Sequence, residues 1–165
     1  MQKVIDIAPA TVRIYPVVIL KGTKLAEYYL SGEYKPLDFD RVVSICADML
    51  CEFERAGIRV IKCGLHASEF VERDMVGGFY HPAFRELCEA EIYKKLITSS
   101  LKEMELIRTK AIVKIAVAPS CISKAVGQKK INYEYFKKLG IELKIVGDST
   151  VPKYKTEIRE VSVCT

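Results

Sequence analysis

No apolar run in this chain approaches the roughly 20 residues that a membrane-crossing helix needs. The opening, Met1-Gln-Lys-Val-Ile-Asp6, also lacks the long apolar stretch of a secretory signal. A cytosolic (cytoplasmic) protein with no membrane partner is therefore expected. Internal repeats and low-complexity segments are missing too. So are a Ser/His/Asp order, a phosphate-binding loop and the glycine fingerprint of a dinucleotide fold, which leaves no catalytic residue to name. Histidine is scarce. His66 and His81 stand fifteen residues apart with Glu69, Glu72 and Asp74 between them, and no ligand spacing joins them. Ordinary loop histidines are expected there rather than a metal site.

Closely spaced cysteines are missing as well. Cys46, Cys51, Cys63, Cys88, Cys121 and Cys164 are scattered through apolar segments rather than set two or three residues apart. They read as reduced, buried thiols acting as small hydrophobes. The nearest pair, Cys46 and Cys51, lies on a predicted helix with its side chains about 140° apart around the axis, so the two cannot chelate one metal. Neither a zinc motif nor a cluster motif is present, and no metal is expected in this chain.

What is present suffices for a core. Half of the 165 residues are apolar, which excludes a disordered chain and permits one ordinary domain or two small ones. The net charge of +5 is unevenly placed: residues 1–108 carry 15 basic and 16 acidic side chains, residues 109–165 carry 11 and 5. A basic segment on a neutral body is the electrostatic footprint of nucleic-acid contact, although a solvated lysine-rich surface has the same composition.

The run Val12-Arg-Ile-Tyr-Pro-Val-Val-Ile-Leu20 is rich in β-formers, is interrupted at Pro16, and leads through Lys21-Gly22-Thr23 into a short helix, Lys24–Leu30. A second helix has Asp38 as N-cap, Gly57 just past its end, and an apolar stripe of Val42, Cys46, Met49, Leu50 and Phe53. A strand over Ile58–Leu65 then completes a βαβ order and implies a parallel sheet. His66 to His81 reads as irregular. Pro82 opens a helix carrying Phe84, Leu87, Cys88, Ile92 and Leu96, and its polar end, Thr98 to Glu105, sets a boundary that divides the chain into 1–108 and 109–165. From Ala111 the order is strand (Ala111–Val117), helix (Cys121–Val126), turn, helix (Ile131–Leu139), strand (Ile141–Val146), with Ile158 to Val163 as a possible edge strand.

Two places carry candidate chemistry. The turn Gly127-Gln-Lys-Lys130 between two short helices sets a glycine where a nucleic-acid backbone can come close, with Lys124, Lys129 and Lys130 as phosphate contacts. Alternation along the first strand puts Arg13 and Tyr15 on one face, and Lys21 and Thr23 at its end, where barrel enzymes place their chemistry. The competing readings are a βααβ unit that only packs on its own protein with solvated lysines, an Arg13 that stabilises the fold by ion pairing, and a Gly22-Thr23 that is turn and cap.

Ile122-Ser-Lys-Ala-Val-Gly-Gln-Lys-Lys-Ile-Asn132 resembles the KH signature, an aliphatic residue followed by a Gly-x-x-Gly loop and an Asn, with Lys130 where the second glycine belongs. That resemblance implies RNA binding by Lys124, Gly127, Gln128, Lys129, Lys130 and Asn132. Over roughly residues 10–95, Val12 to Leu25, Gly32-Glu-Tyr-Lys-Pro36, Val60-Ile-Lys-Cys-Gly-Leu65 and Gly77-Gly-Phe-Tyr-His-Pro-Ala-Phe84 resemble late barrel elements of the Elongator catalytic subunit. They are also similar to its bacterial radical S-adenosylmethionine relatives, some of them labelled coproporphyrinogen-oxidase-like.

The fold implied is α/β: late strands and helices of a partial (βα) barrel, then a small βααβ KH-like α+β domain. The family's cofactors would be a [4Fe-4S] cluster and S-adenosylmethionine, held by a Cys-x-x-x-Cys-x-x-Cys loop that this sequence lacks. The chain is thus expected to be a fragment that is inactive alone, binding RNA or tRNA and partnering either the cluster-bearing barrel half or itself. The rivals are a stand-alone RNA-binding or scaffold protein serving a separate catalytic half, and part of an oxygen-independent coproporphyrinogen-oxidase-like oxidoreductase.

Overall fold

Pro16 divides the first β-rich run in two, because it lacks the N–H that a continuous ladder would use and fixes its own φ. In the computed structural model, which describes residues 1–66 and 69–163, the halves become separate strands in separate sheets. A short helix α1 (Gln2–Ile7) precedes them, followed by β1 (Thr11–Ile14) and β2 (Val18–Leu20). Next come α2 (Lys24–Leu30), α3 (Phe39–Arg55) and β3 (Arg59–Cys63). β1 and β3 pair in parallel, from Thr11 with Arg59 to Ile14 with Cys63, as the βαβ order requires.

The segment from His66 to His81, read from the sequence as irregular, contains α4 (Glu69–Asp74) and β4 (Met75–Gly78). β4 pairs antiparallel with β2. Gly78 makes this approach possible: its φ is 79°, and a Cβ there would stand 2.5 Å from the Val17 carbonyl oxygen. Two adjacent glycines hide a strand from any propensity argument: Gly78 meets the partner backbone, and a Cβ at Gly77 would stand 2.8 Å from the Tyr29 ring.

α3 starts as its sequence dictates. Asp38 accepts the Arg41 N–H at 2.8 Å, and Asp40 lies in the first turn. Its buried face is Val43, Cys46, Ala47, Leu50 and Phe53. Val43 and Ala47 thus replace Val42 and Met49 of the expected stripe, a rotation of the buried face that small residues permit. Thr23 caps α2 in the same way, accepting from the Ala26 N–H at 3.2 Å and donating to the Leu20 carbonyl at 2.7 Å. Thr23→Ala and Asp38→Ala are each expected to cost about 1 kcal/mol in urea unfolding, and Thr23→Ser only a few tenths.

Helix α5 (Phe84–Glu103) is long, and its last turns are the polar stretch from Thr98. The chain forms two compact units, 1–88 and 89–165, which divide within this helix. In the second unit β5 (Ala111–Val117) leads through a 3-10 turn (Pro119–Cys121) into α6 (Ile122–Val126). A second 3-10 turn (Gln128–Lys130) opens α7 (Ile131–Lys138), and β6 (Ile141–Gly147) and β7 (Glu157–Val163) follow. β5 is central, parallel to β6 and antiparallel to β7. α6 and α7 pack on β6, and Ala111, Val113, Ile115 and Val117 of β5 are buried with Phe136 of α7.

The fold is mixed α/β, with two two-stranded sheets and one three-stranded sheet, and no barrel closes among the described residues. No helix of the described residues is long and apolar enough to cross a membrane.

Candidate functional site

The turn between α6 and α7 is built on left-handed backbone. Gly127 has φ 76°, and Lys129 and Lys130 follow at φ 52°, ψ 28° and φ 61°, ψ 29°. Left-handed geometry costs an L-residue roughly 1–2 kcal/mol, so two successive lysines in it are a stored strain. Lys130 thereby adopts a backbone region that favours glycine. It is also the N-cap residue of α7 without a side-chain cap hydrogen bond, where Ser, Thr, Asp or Asn would be usual. Lys129 and Lys130 therefore present two exposed ammonium side chains at one turn, an arrangement suited to a phosphate.

The other residues of this group divide between display and support. Gln128 is exposed. Gly127 has its Cβ side closed, since an added Cβ would lie 2.7 Å from Ile131 Cγ2 and 3.2 Å from Ala90 Cβ. Its small size serves internal packing as well as its φ. Asn132 is only 2% exposed, and its Nδ2 donates to the Ala90 and Ala125 carbonyls at 2.9 Å each, so it fastens the turn from beneath. Lys124 Nζ is 3.1 Å from the Glu89 carboxylate, which is itself 4% exposed and accepts from the Tyr154 hydroxyl at 2.9 Å. The structure thus brings all six residues to one turn, with Gln128, Lys129 and Lys130 presented outward.

In the first unit, Arg13 and Tyr15 share the exposed side and Ile14 the buried one, in the alternation expected of β1. Tyr15 lines an apolar cavity of about 200 Å³ with Val17, Tyr34, Leu37, Phe79 and Cys46. Arg13, Lys21 and Thr23 are not among its lining residues. Lys21 and Thr23 sit instead at the β2–α2 turn, where the Lys21 N–H donates to the Asp74 carbonyl at 2.8 Å. The four barrel-face candidates therefore form no single site.

One cluster was not legible from spacing. Cys46 on α3, Cys63 ending β3 and Cys88 on α5 are all buried and unbridged, and Cys88 is within hydrogen-bonding reach of both others. Only the fold brings positions 17 and 25 residues apart to one place. Cys164 lies outside the described residues. The two histidines have local roles: His66 Nδ1 is 3.2 Å from Lys62 Nζ, and His81 Nδ1 accepts from the Ala83 N–H at 3.1 Å.

The Radical_SAM C-terminal domain family matches this chain over residues 9–94, just over half of its length and nearly the stretch that carries the resemblance described above. An uncharacterized protein of Methanocaldococcus jannaschii is 51% identical over 39 residues, which are 24% of this chain and 12% of that relative. No solved structure matches. The chain belongs to the Radical_SAM C-terminal domain family. Radical S-adenosylmethionine proteins use that cofactor together with an iron–sulfur cluster. The donors here do not fit such a cluster: Cys46, Cys63 and Cys88 are buried against one another, and among the described residues no group of three His, Cys, Asp or Glu could hold a metal ion.

Proposed function

We propose that this radical S-adenosylmethionine C-terminal chain binds RNA, tRNA foremost, through the Gly127–Lys130 turn, and presents it to the radical chemistry of an Elongator-like protein. The observation that carries this reading is the pair of exposed left-handed lysines at the side-chain-uncapped start of α7. A strained backbone at an exposed turn points to function rather than to packing, and lysines at a helix N-terminus suit a phosphodiester. The flanking order of strand, helix, turn, helix and strand is similar to a KH module, and the excess of basic residues after position 108 adds long-range attraction. In this reading Lys129, Lys130 and Gln128 contact the phosphates, Lys124 lends partial charge from its ion pair, and Gly127 and Asn132 hold the turn.

The first unit has a complementary role. β1 and β3 pair only with each other among the described residues, and a two-stranded parallel sheet is rarely stable without further strands. We assign its edges to the strands of a cluster-bearing barrel segment, with self-association as the competing outcome.

Titration of the chain with labelled tRNA and single-stranded RNA at 0.05 M and 0.2 M salt tests the RNA reading. Lys129→Ala/Lys130→Ala should lower the salt slope by about 1.4 and weaken binding roughly tenfold at 0.2 M, and by more at 0.05 M. No binding by the wild type at low salt, or identical slopes for the two proteins, would overturn it.

A further inference from the structure

Cys46, Cys63 and Cys88 lie in the first unit, apart from the lysine turn, and each is at most 5% exposed. Three thiols of a reduced core are ordinarily inert small hydrophobes. Here two observations set one of them apart. Cys46 is one of the residues that line the cavity of about 200 Å³, together with Tyr15 and Tyr34. Cys88, with no exposed surface, is in hydrogen-bonding reach of Cys46 on one side and Cys63 on the other. The cavity is therefore bordered by the first member of this group of three.

We propose that Cys46 is a peroxide-oxidised thiol that closes a disulfide with Cys88, with Cys63 placed to exchange into it. The Cys46 sulfur, as thiolate, attacks one oxygen of a hydroperoxide. An S–O bond forms, the O–O bond breaks, and the departing oxygen takes a proton and leaves as water or alcohol. The sulfur of Cys88 then attacks the sulfenic sulfur, so that an S–S bond forms and the S–O bond breaks. The hydroxide leaves as water with the proton that Cys88 gives up. In sum two thiols are oxidised and one peroxide is reduced. The hydrogen bond from Cys88 holds the Cys46 thiol below its ordinary pKa, while the same contacts and burial push Cys88 up. The lowering suits Cys46 as the attacking thiolate, whereas Cys88 ionises reluctantly and attacks only as its proton passes to the departing hydroxide. A soft metal is the competing occupant of three thiols, but their placement offers no metal geometry among the described residues.

The test uses the reduced full chain in a Cys51→Ser/Cys164→Ser background, which leaves four thiols, with hydrogen peroxide as probe. Thiols are counted after denaturation, and the oxidised protein is mapped by mass spectrometry. The expected result is the loss of two thiols, restored by dithiothreitol, with a Cys46–Cys88 peptide pair. In Cys88→Ser a dimedone adduct should appear at Cys46, and in Cys46→Ser no disulfide should form. Oxidation of Cys46 no faster in the folded chain than in 6 M guanidinium would overturn the proposal. So would a Cys88→Ser variant without the dimedone adduct, even if Cys46→Ser failed to fold.

Discussion

Replacing Glu89 by alanine is expected to cost the second unit about 1–3 kcal/mol, because the buried Tyr154 hydroxyl loses an acceptor while the 28%-exposed Lys124 side chain can turn to water. Its carboxylate is 4% exposed and accepts from Lys124 Nζ at 3.1 Å and from the Tyr154 hydroxyl at 2.9 Å. Tyr154 is held from the other side as well. Its N–H donates to the Tyr93 hydroxyl at 3.2 Å, and the two rings meet edge to face with centroids 6.3 Å apart. Glu89 thereby ties α5 to α6 and to the segment before β7. Glu89→Gln keeps an acceptor for Tyr154 but loses the charge facing Lys124, so about 1–2 kcal/mol is expected. Tyr154→Phe removes one donor and should cost about 1 kcal/mol. The chain has no tryptophan, so circular dichroism in urea is the readout. A loss below 1 kcal/mol for Glu89→Ala would place this pair with exposed ion pairs, which contribute little.

The sequence makes most of the second unit legible. β5, the two short helices, the turn between them and β6 fall within about a residue of the expected bounds, because glycine, proline and apolar runs punctuate them sharply. The first unit is legible only in part. The βαβ pairing of β1 with β3 and the caps Thr23 and Asp38 follow from local chemistry. The assignment of β2 to a second sheet does not, since it depends on β4, whose Met75-Val-Gly-Gly78 sequence carries little strand propensity. The buried carboxylate was equally hidden. Glu89 lies on an amphipathic helix among other acidic residues, and nothing local distinguishes it from a solvated one.

At the lysine turn the residue types were legible and their division of labour was not. Spacing gathers Lys124, Gly127, Gln128, Lys129, Lys130 and Asn132 at one turn, but cannot tell that Lys124 faces a buried glutamate or that Asn132 points inward. Nor does a lysine announce a left-handed backbone such as Lys130 has. The thiol cluster is the extreme case: its members come from a helix, a strand end and another helix, and only tertiary structure unites them.

Asn132→Asp should be the most damaging single substitution beneath that turn. The native amide donates both its hydrogens, one to Ala90 and one to Ala125. The Ala125 carbonyl lies in the last turn of α6, where no intrahelical donor follows. Asn132→Ala leaves that acceptor buried without its partner, at about 1–3 kcal/mol. A carboxylate instead sets negative oxygen 2.9 Å from two carbonyl oxygens, and only a protonated acid can donate to one of them. The folded-state pKa of the introduced Asp is thus raised above its unfolded value near 3.9. With the native state binding more protons than the unfolded one, the penalty should be smallest below about pH 4 and should grow as pH rises to the folded pKa. Urea unfolding of the three proteins at pH 4 and pH 7 reads this out, and a pH-independent difference between the Ala and Asp variants would refute the inward orientation of the amide. Both variants should also weaken RNA binding while every lysine remains in place, because the turn that aims them has lost its fastening. Unchanged RNA affinity in a demonstrably destabilised Asn132→Ala would mean that the lysines act as a diffuse charge rather than as an ordered phosphate grip.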